Sequence, residues 1–155
     1  MLLVDTSAIK EELYNHCMEY VNTHIETNRI AFEQCQDAAR SETKTVASEE
    51  PETGKERSQR EMETIGQRLE EILAQKKMLR SLDYGKKCSI VEPGALVETS
   101  IGAFYISLSA DEIEIDGMEY CPVSLASPIG QALSGKASGD NVLFRDNKIK
   151  IEHVY

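Results

Sequence analysis

The 34 residues from Ser7 to Arg40 contain neither Gly nor Pro, and no other feature of the chain limits its fold as strongly. Leu13, Cys17, Tyr20, His24, Thr27, Ala31, Cys35 and Ala38 recur there in steps of three and four. That spacing lays side chains along one face of a helix. At ~1.5 Å per residue the helix would extend roughly 50 Å. Asp5, Thr6 and Ser7 offer oxygens to cap its start. A second run repeats the spacing with Met62, Ile65, Leu69, Ile72 and Leu79, and stops before Asp83-Tyr84-Gly85. Its other face carries Glu61, Glu63, Arg68, Glu70, Glu71 and Lys77 and suits solvent.

Two such seams joined by the polar segment 41–54 predict an antiparallel helical hairpin over residues 1–84. With no third helix to bury it, a hairpin of this length is expected to project as an arm. Half of a dimeric four-helix bundle is the alternative. The thin seam, with His24, Thr27 and Lys76 in it, favours the arm over a dry bundle core. At the expected far end lie Glu49, Glu50 and Glu52, with Pro51 suited to the first turn of the second helix. Carboxylates there complement the positive end of the helix dipole. Lys55, Arg57 and Arg60 form a basic cluster just beyond them, a solvated face that could also touch phosphate.

After Gly85 the texture changes to short β-branched and aromatic runs at 95–99, 103–108, 112–115, 118–123, 142–145 and 148–154. Asp116-Gly117 between two of these runs signals a two-residue hairpin turn, and Asp146-Asn147 is expected to turn the last pair. Ser127 as cap, Pro128 at the first helical position and Gly135 as stop predict one short helix. Residues 85–155 are therefore expected to form a small antiparallel sheet with one helix. The whole chain reads as α+β.

Composition narrows the function. The chain has 155 residues and a net charge of −10, from 27 acidic and 17 basic side chains. Residues 1–82 carry 16 acidic and 11 basic groups, and 83–155 carry 11 and 6, so each part is −5. Such charge opposes free nucleic acid as a primary partner, and no sequence-specific DNA binding is expected. No apolar run approaches the roughly 18 residues of a membrane span. Met1-Leu2-Leu3-Val4 is too short for a signal peptide. Cys17, Cys35, Cys88 and Cys121 lie far apart and read as reduced thiols of a cytoplasmic protein. His16, His24 and His153 have no metal-ligand spacing, and neither a phosphate loop nor a paired nucleophile and base is present. A binding module is expected rather than an enzyme.

The run Ser127-Pro128-Ile129-Gly130-Gln131-Ala132-Leu133-Ser134-Gly135-Lys136-Ala137-Ser138-Gly139-Asp140 resembles the signature of the bacterial Gre transcript cleavage factors. In that family Ser-Pro-Ile-x-x-Ala-Leu-x-Gly-Lys-x-x-Gly-Asp sits in a C-terminal FKBP-like domain, and a final strand ends in Val-x-Tyr. Here the corresponding end is Glu152-His153-Val154-Tyr155. The similarity covers residues 91–155; over the hairpin it is one of architecture, a coiled-coil arm ahead of the small domain. The resemblance implies docking to RNA polymerase through a surface that includes Ser127, Pro128 and Ile129. It also implies an arm in the secondary channel that modulates elongation or rescues backtracked complexes. Acidic tip residues of the family share Mg²⁺ with the polymerase active centre, and the polymerase itself performs the hydrolysis. Glu49, Glu50 and Glu52 would take that place, with Lys55, Arg57 and Arg60 near the nascent RNA 3′ end. The family's Asp-x-x-Glu-Asn tip is absent, although Glu49 and Glu52 keep its spacing of three. A non-cleaving, inhibitory member of the family therefore stands beside a cleaving one. An FKBP-like fold also raises proline isomerisation. For a proline pocket the domain offers only Phe104, Tyr105, Tyr120, Phe144 and Tyr155, with no Trp.

Overall fold

The structure, a computed structural model, describes residues 5–44 and 51–155, with side chains for 5–41, 54 and 56–155. Two long helices, α1 (Thr6–Lys44) and α2 (Pro51–Ser81), precede a six-stranded sheet, which confirms the α+β class. The chain divides into two compact units, Met1–Tyr20 with Met78–Tyr155, and Val21–Lys77.

Helix α1 begins where its cap oxygen is. The Asp5 carboxylate accepts the amides of Ser7 and Ala8 at 3.1 and 3.3 Å, satisfying donors that a helix start leaves free. Helix α2 starts at Pro51, where a missing N–H costs nothing. It ends at Ser81, ahead of a turn in which the Gly85 amide donates to the Asp83 carboxylate.

In the unit Val21–Lys77, the α2 seam runs through Ser58, Met62, Ile65, Leu69, Ile72 and Lys76, alternating steps of four and three as expected. The α1 seam differs from the expected one. Val21, Ile25, Asn28, Ala31, Phe32, Cys35 and Ala39 are the covered positions, whereas His24, Thr27 and Ala38 are exposed. Two neighbouring stripes of α1 both satisfy three-and-four spacing. The covered stripe holds the larger apolar groups Val21, Ile25 and Phe32.

In the other unit, strands β1 (Leu96–Thr99), β2 (Gly102–Ile106), β3 (Ile113–Ile115), β4 (Met118–Val123), β5 (Asn141–Phe144) and β6 (Asn147–Val154) order as β3-β4-β2-β1-β6-β5. The expected all-antiparallel sheet is corrected at one place, because β2 and β4 pair in parallel. The reason lies in burial. In β4, Tyr120, Pro122 and Val123 are buried on both faces and need an interior position, whereas β3 is short and flanked by Glu112 and carries Glu114. The chain therefore leaves β2, lays β3 at the edge, and returns through the hairpin.

One face of the sheet packs with helix α3 (Pro128–Leu133) around Val97, Ile106, Val123, Leu133, Val142 and Ile149. The alternate residues Leu96 and Tyr105 are also fully buried, so the central strands are covered on both sides. The start of α1 lies near the end of β2, where the Cys17 Sγ and Ser107 Oγ are 3.4 Å apart. The Tyr105 hydroxyl is buried without a protein hydrogen-bond partner among the described residues. Desolvation, with smaller contributions from Cys17, Tyr14 and Cys88, pushes its ionisation far above the ordinary phenol range.

Both hairpins in which the expected turn is testable use left-handed backbone at their two central residues. Asp116-Gly117 does so as expected, at φ 51° and 82°. In the last hairpin the pairing of Phe144 with Asn147 makes Arg145-Asp146 the turn, one residue earlier than expected, at φ 49° and 64°. The register is held by Val142 opposite Ile149, both facing the core. The Arg145 guanidinium rests 5.0 Å from the Phe144 ring centroid.

Left-handed conformation costs a residue with a Cβ roughly 1–2 kcal/mol. Arg145→Asn combined with Asp146→Gly should therefore raise stability by about 1 kcal/mol after loss of the stacking contact, measured by urea unfolding with unchanged m. Tyr105→Phe should also raise stability, by about 1 kcal/mol, because it removes a desolvated hydroxyl without opening the core. A fall in the urea midpoint for Tyr105→Phe would show that the hydroxyl is satisfied in solution.

Candidate functional site

The segment Ser127–Asp140 folds as one hydrogen-bonded unit. Ser127 Oγ donates to the Ser124 carbonyl at 2.6 Å and accepts the Gly130 amide at 3.1 Å. Pro128 occupies the first turn of α3, and the fully buried Leu133 anchors the helix to the sheet. Gly135, at φ 74°, reverses the chain and donates its amide to the Val91 carbonyl at 2.9 Å. The Gly139 amide reaches the Ile151 carbonyl at 2.7 Å, and the Asp140 carboxylate accepts the Ala137 amide at 2.8 Å.

Gly130 fits for a reason its helical position does not reveal. A Cβ there would stand 2.0 Å from the Ser124 carbonyl oxygen and 2.9 Å from the Leu125 Cα. That same oxygen receives the Ser127 amide and hydroxyl, so it cannot move without breaking the cap. Ser127 is thus occupied by the turn, and Ile129 is half-buried against the core. Of the three expected docking residues, Pro128 is the exposed one, with Ile129 at its margin.

A second feature lies on α2. Arg57, Arg60 and Arg68 line an open cleft of about 560 Å³ together with Glu61, Thr64 and Ile65. The three guanidiniums are exposed, and none has an ion pair among the described residues. Three planar donor forks against one carboxylate make this a surface for phosphate or carboxylate groups. Arg68 was expected on a solvated face apart from the cluster. Its position eight residues after Arg60, two steps of four through Thr64, is the sequence signal that links it to the cleft. Nearby, the Cys35 thiol donates to Glu61 Oε2 at 3.5 Å. Desolvation first, and that hydrogen bond second, hold the thiol protonated.

The acidic tip residues Glu49 and Glu50 lie outside the described residues, and Glu52 and Lys55 outside the described side chains. Among the described residues, no group of three or more His, Cys, Asp and Glu side chains is placed to hold a metal ion. None of the described helices is long and apolar enough to cross a membrane. The four cysteines carry free thiols.

One further environment had no sequence signal. Lys10 is only 3% exposed, and its ammonium donates to the Lys86 carbonyl at 2.8 Å. Desolvation lowers its pKa against the opposing pull of Cys88, Asp83 and Glu92. Lys86 in turn pairs with Glu92 at 3.0 Å. A lysine near a helix start reads as solvated; only the packing of Gly85–Cys88 over it makes it interior.

No family model matches the chain, and no curated protein matches it. Among solved structures it is similar to the structure of the transcription factor Gfh1. Identity is 18%, with 89% of this chain and 92% of that chain covered, at a TM-score of 0.35.

Gly130→Ala tests the close approach of α3 to the Ser124 turn. In an ordinary helix this substitution gains about 1 kcal/mol. Here it should lose about 2 kcal/mol net, because overpacking against backbone outweighs propensity. Thermal unfolding should fall by about 5 °C for a chain of this size, and an unchanged or raised midpoint would contradict the geometry.

Proposed function

We propose that the chain is a transcription elongation factor of Gre type that binds RNA polymerase and inserts its helical hairpin into the secondary channel. It acts there as a protein cofactor in the cytoplasm, with no catalytic centre of its own. The observation that carries this reading is the Ser127–Asp140 segment. Its signature residues form one capped helix and two turns, which leave Pro128 exposed at the helix start. Docking rests on Pro128 with Ile129 beside it, while Ser127 holds the turn that presents them.

The hairpin seam along Ser58, Met62, Ile65, Leu69 and Ile72 supports a coiled-coil arm. The cleft of Arg57, Arg60 and Arg68 supports contact with the nascent RNA 3′ segment, at a locally basic place in a chain of net charge −10. Glu49, Glu50 and Glu52 would bring hard oxygen donors toward the Mg²⁺ of the polymerase. A non-cleaving role at the same channel is the second reading. It is favoured by the absence of Asp-x-x-Glu-Asn and by Pro51 between the two spaced glutamates.

The chain should be retained on immobilised RNA polymerase. Pro128→Asp should weaken retention at least about tenfold, a difference of about 1.4 kcal/mol, without lowering the melting temperature. Absence of retention would overturn the proposal, and a compact dimer in light scattering would favour the helical-bundle alternative. On backtracked elongation complexes, a cleaving factor shortens the transcript, and Glu49→Ala with Glu50→Ala abolishes this. A non-cleaving one changes elongation with transcript length intact.

A further inference from the structure

The sheet is electrically polarised from edge to edge. Between Lys87 and Lys136 the chain has seven acidic residues and no Lys or Arg. Asp111, Glu112, Glu114, Asp116 and Glu119 among them gather on the β3–β4 hairpin, at one end of the strand order. At the opposite end, the β5–β6 hairpin carries Arg145, Lys148 and Lys150 against Asp146 and Glu152, so it is weakly basic where the other end is strongly acidic.

Each end also has an apolar feature. Leu143, on the edge strand β5 and paired in register with Lys148, is 72% exposed. At the acidic end, Ile101, Phe104, Tyr120 and Cys121 help to line a hollow of about 140 Å³, with Glu112 and Glu119 also in its wall. A cavity of that size class holds a group about as large as benzene.

The acidic edge is unbalanced within its own chain. Glu114 and Glu119 stand directly opposite each other in the β3–β4 register. Like charges so placed repel. Among the described residues, none of Glu112, Glu114, Glu119, Lys148 and Lys150 has an ion pair. Edge charges ordinarily guard a sheet against edge-to-edge association. That protection requires like charge on the two edges that could meet. Here their signs are opposite, so each edge attracts the other.

We infer that the chain associates with a second copy head to tail. Leu143 of one copy seats in the Ile101–Phe104–Cys121 hollow of the next, and Lys148 and Lys150 face Glu112, Glu114 and Glu119. The two surfaces differ, so the contact is heterologous and does not close on itself. Association then grows with concentration beyond a dimer, and it weakens as salt shortens the range of the charges.

Sedimentation of the full chain over a concentration series tests this. At about 20 mM salt the average mass should rise above the 17.3 kDa of one chain. At about 1 M salt, where the screening length is ~3 Å, association should weaken at least fivefold. Leu143→Asp should abolish it. So should Glu112→Lys with Glu114→Lys and Glu119→Lys, and separately Lys148→Glu with Lys150→Glu. Mixing the two charge-reversed proteins should restore association between them. Lys77→Glu with Lys87→Glu, which makes the same net charge change as the lysine reversal but off these edges, should retain it. Circular dichroism confirms that each variant is folded. A wild-type chain that stays monomeric throughout would overturn the inference. So would a mass that stops at a dimer and ignores both reversals, or a mixture no better associated than its components.

Discussion

A strand pair buried on both faces organises the sheet-bearing unit. Leu96 and Val97 in β1, and Tyr105 and Ile106 in β2, are each at most 1% exposed. Burying a side chain of this size contributes roughly 1.5–3 kcal/mol, so these adjacent pairs are a large local source of stability. Every later element answers to them. Strand β6 pairs along β1, β4 runs beside β2, and Leu133 brings α3 down on one face. The short charged strand β3 and the exposed β5 are left for the edges. The same double burial desolvates the Tyr105 hydroxyl, a local cost carried by a strand that has no solvent side.

The motif that suggests a function is chiefly a piece of construction. Ser127, Gly130, Gly135, Gly139 and Asp140 each close a hydrogen bond or permit a close approach, and Leu133 fills the core. A sequence signature of this kind reports a scaffold with high specificity, because few residues satisfy each constraint. It reports the contact surface less directly, since the residues free to touch a partner are those without a structural duty. Pro128 combines both roles: its ring begins the helix and its outer face meets solvent.

Charge shows a similar contrast between totals and positions. Two halves at −5 each describe an evenly acidic chain, yet the sheet order separates the strongly acidic β3–β4 from β5–β6, where Arg145, Lys148 and Lys150 outnumber Asp146 and Glu152. Along α2, Arg57, Arg60 and Arg68 gather in one cleft although Glu61 and Glu63 lie among them in sequence. Coulomb interactions depend on separation in space, and the strand order and the helical turn set that separation.

Much of the fold was legible from local rules. Both long helices, the Asp5 cap, the stop before Asp83, the Asp116-Gly117 turn and the Ser127-Pro128 helix start follow from propensity and hydrogen-bond chemistry within a few residues. The misses share one cause, which is that a partner element made the choice. Period alone admitted the His24–Thr27–Ala38 stripe of α1 as readily as the Val21–Ile25–Phe32 stripe, and packing covered the second. The pairing of Val142 with Ile149 moved the final turn onto Arg145-Asp146 against their backbone preference. Burial on two faces drew β4 inside and made the sheet mixed. Lys10 became interior because the distant Lys86 backbone closed over it, and Gly130 resists Ala because the preceding Ser124 turn folds against its helix. Sequence by itself determined where the helices, their caps and the Asp116-Gly117 turn lie, since those energies are local. Tertiary structure decided strand order, face and neighbour, since those energies exist only once separate segments exclude water together.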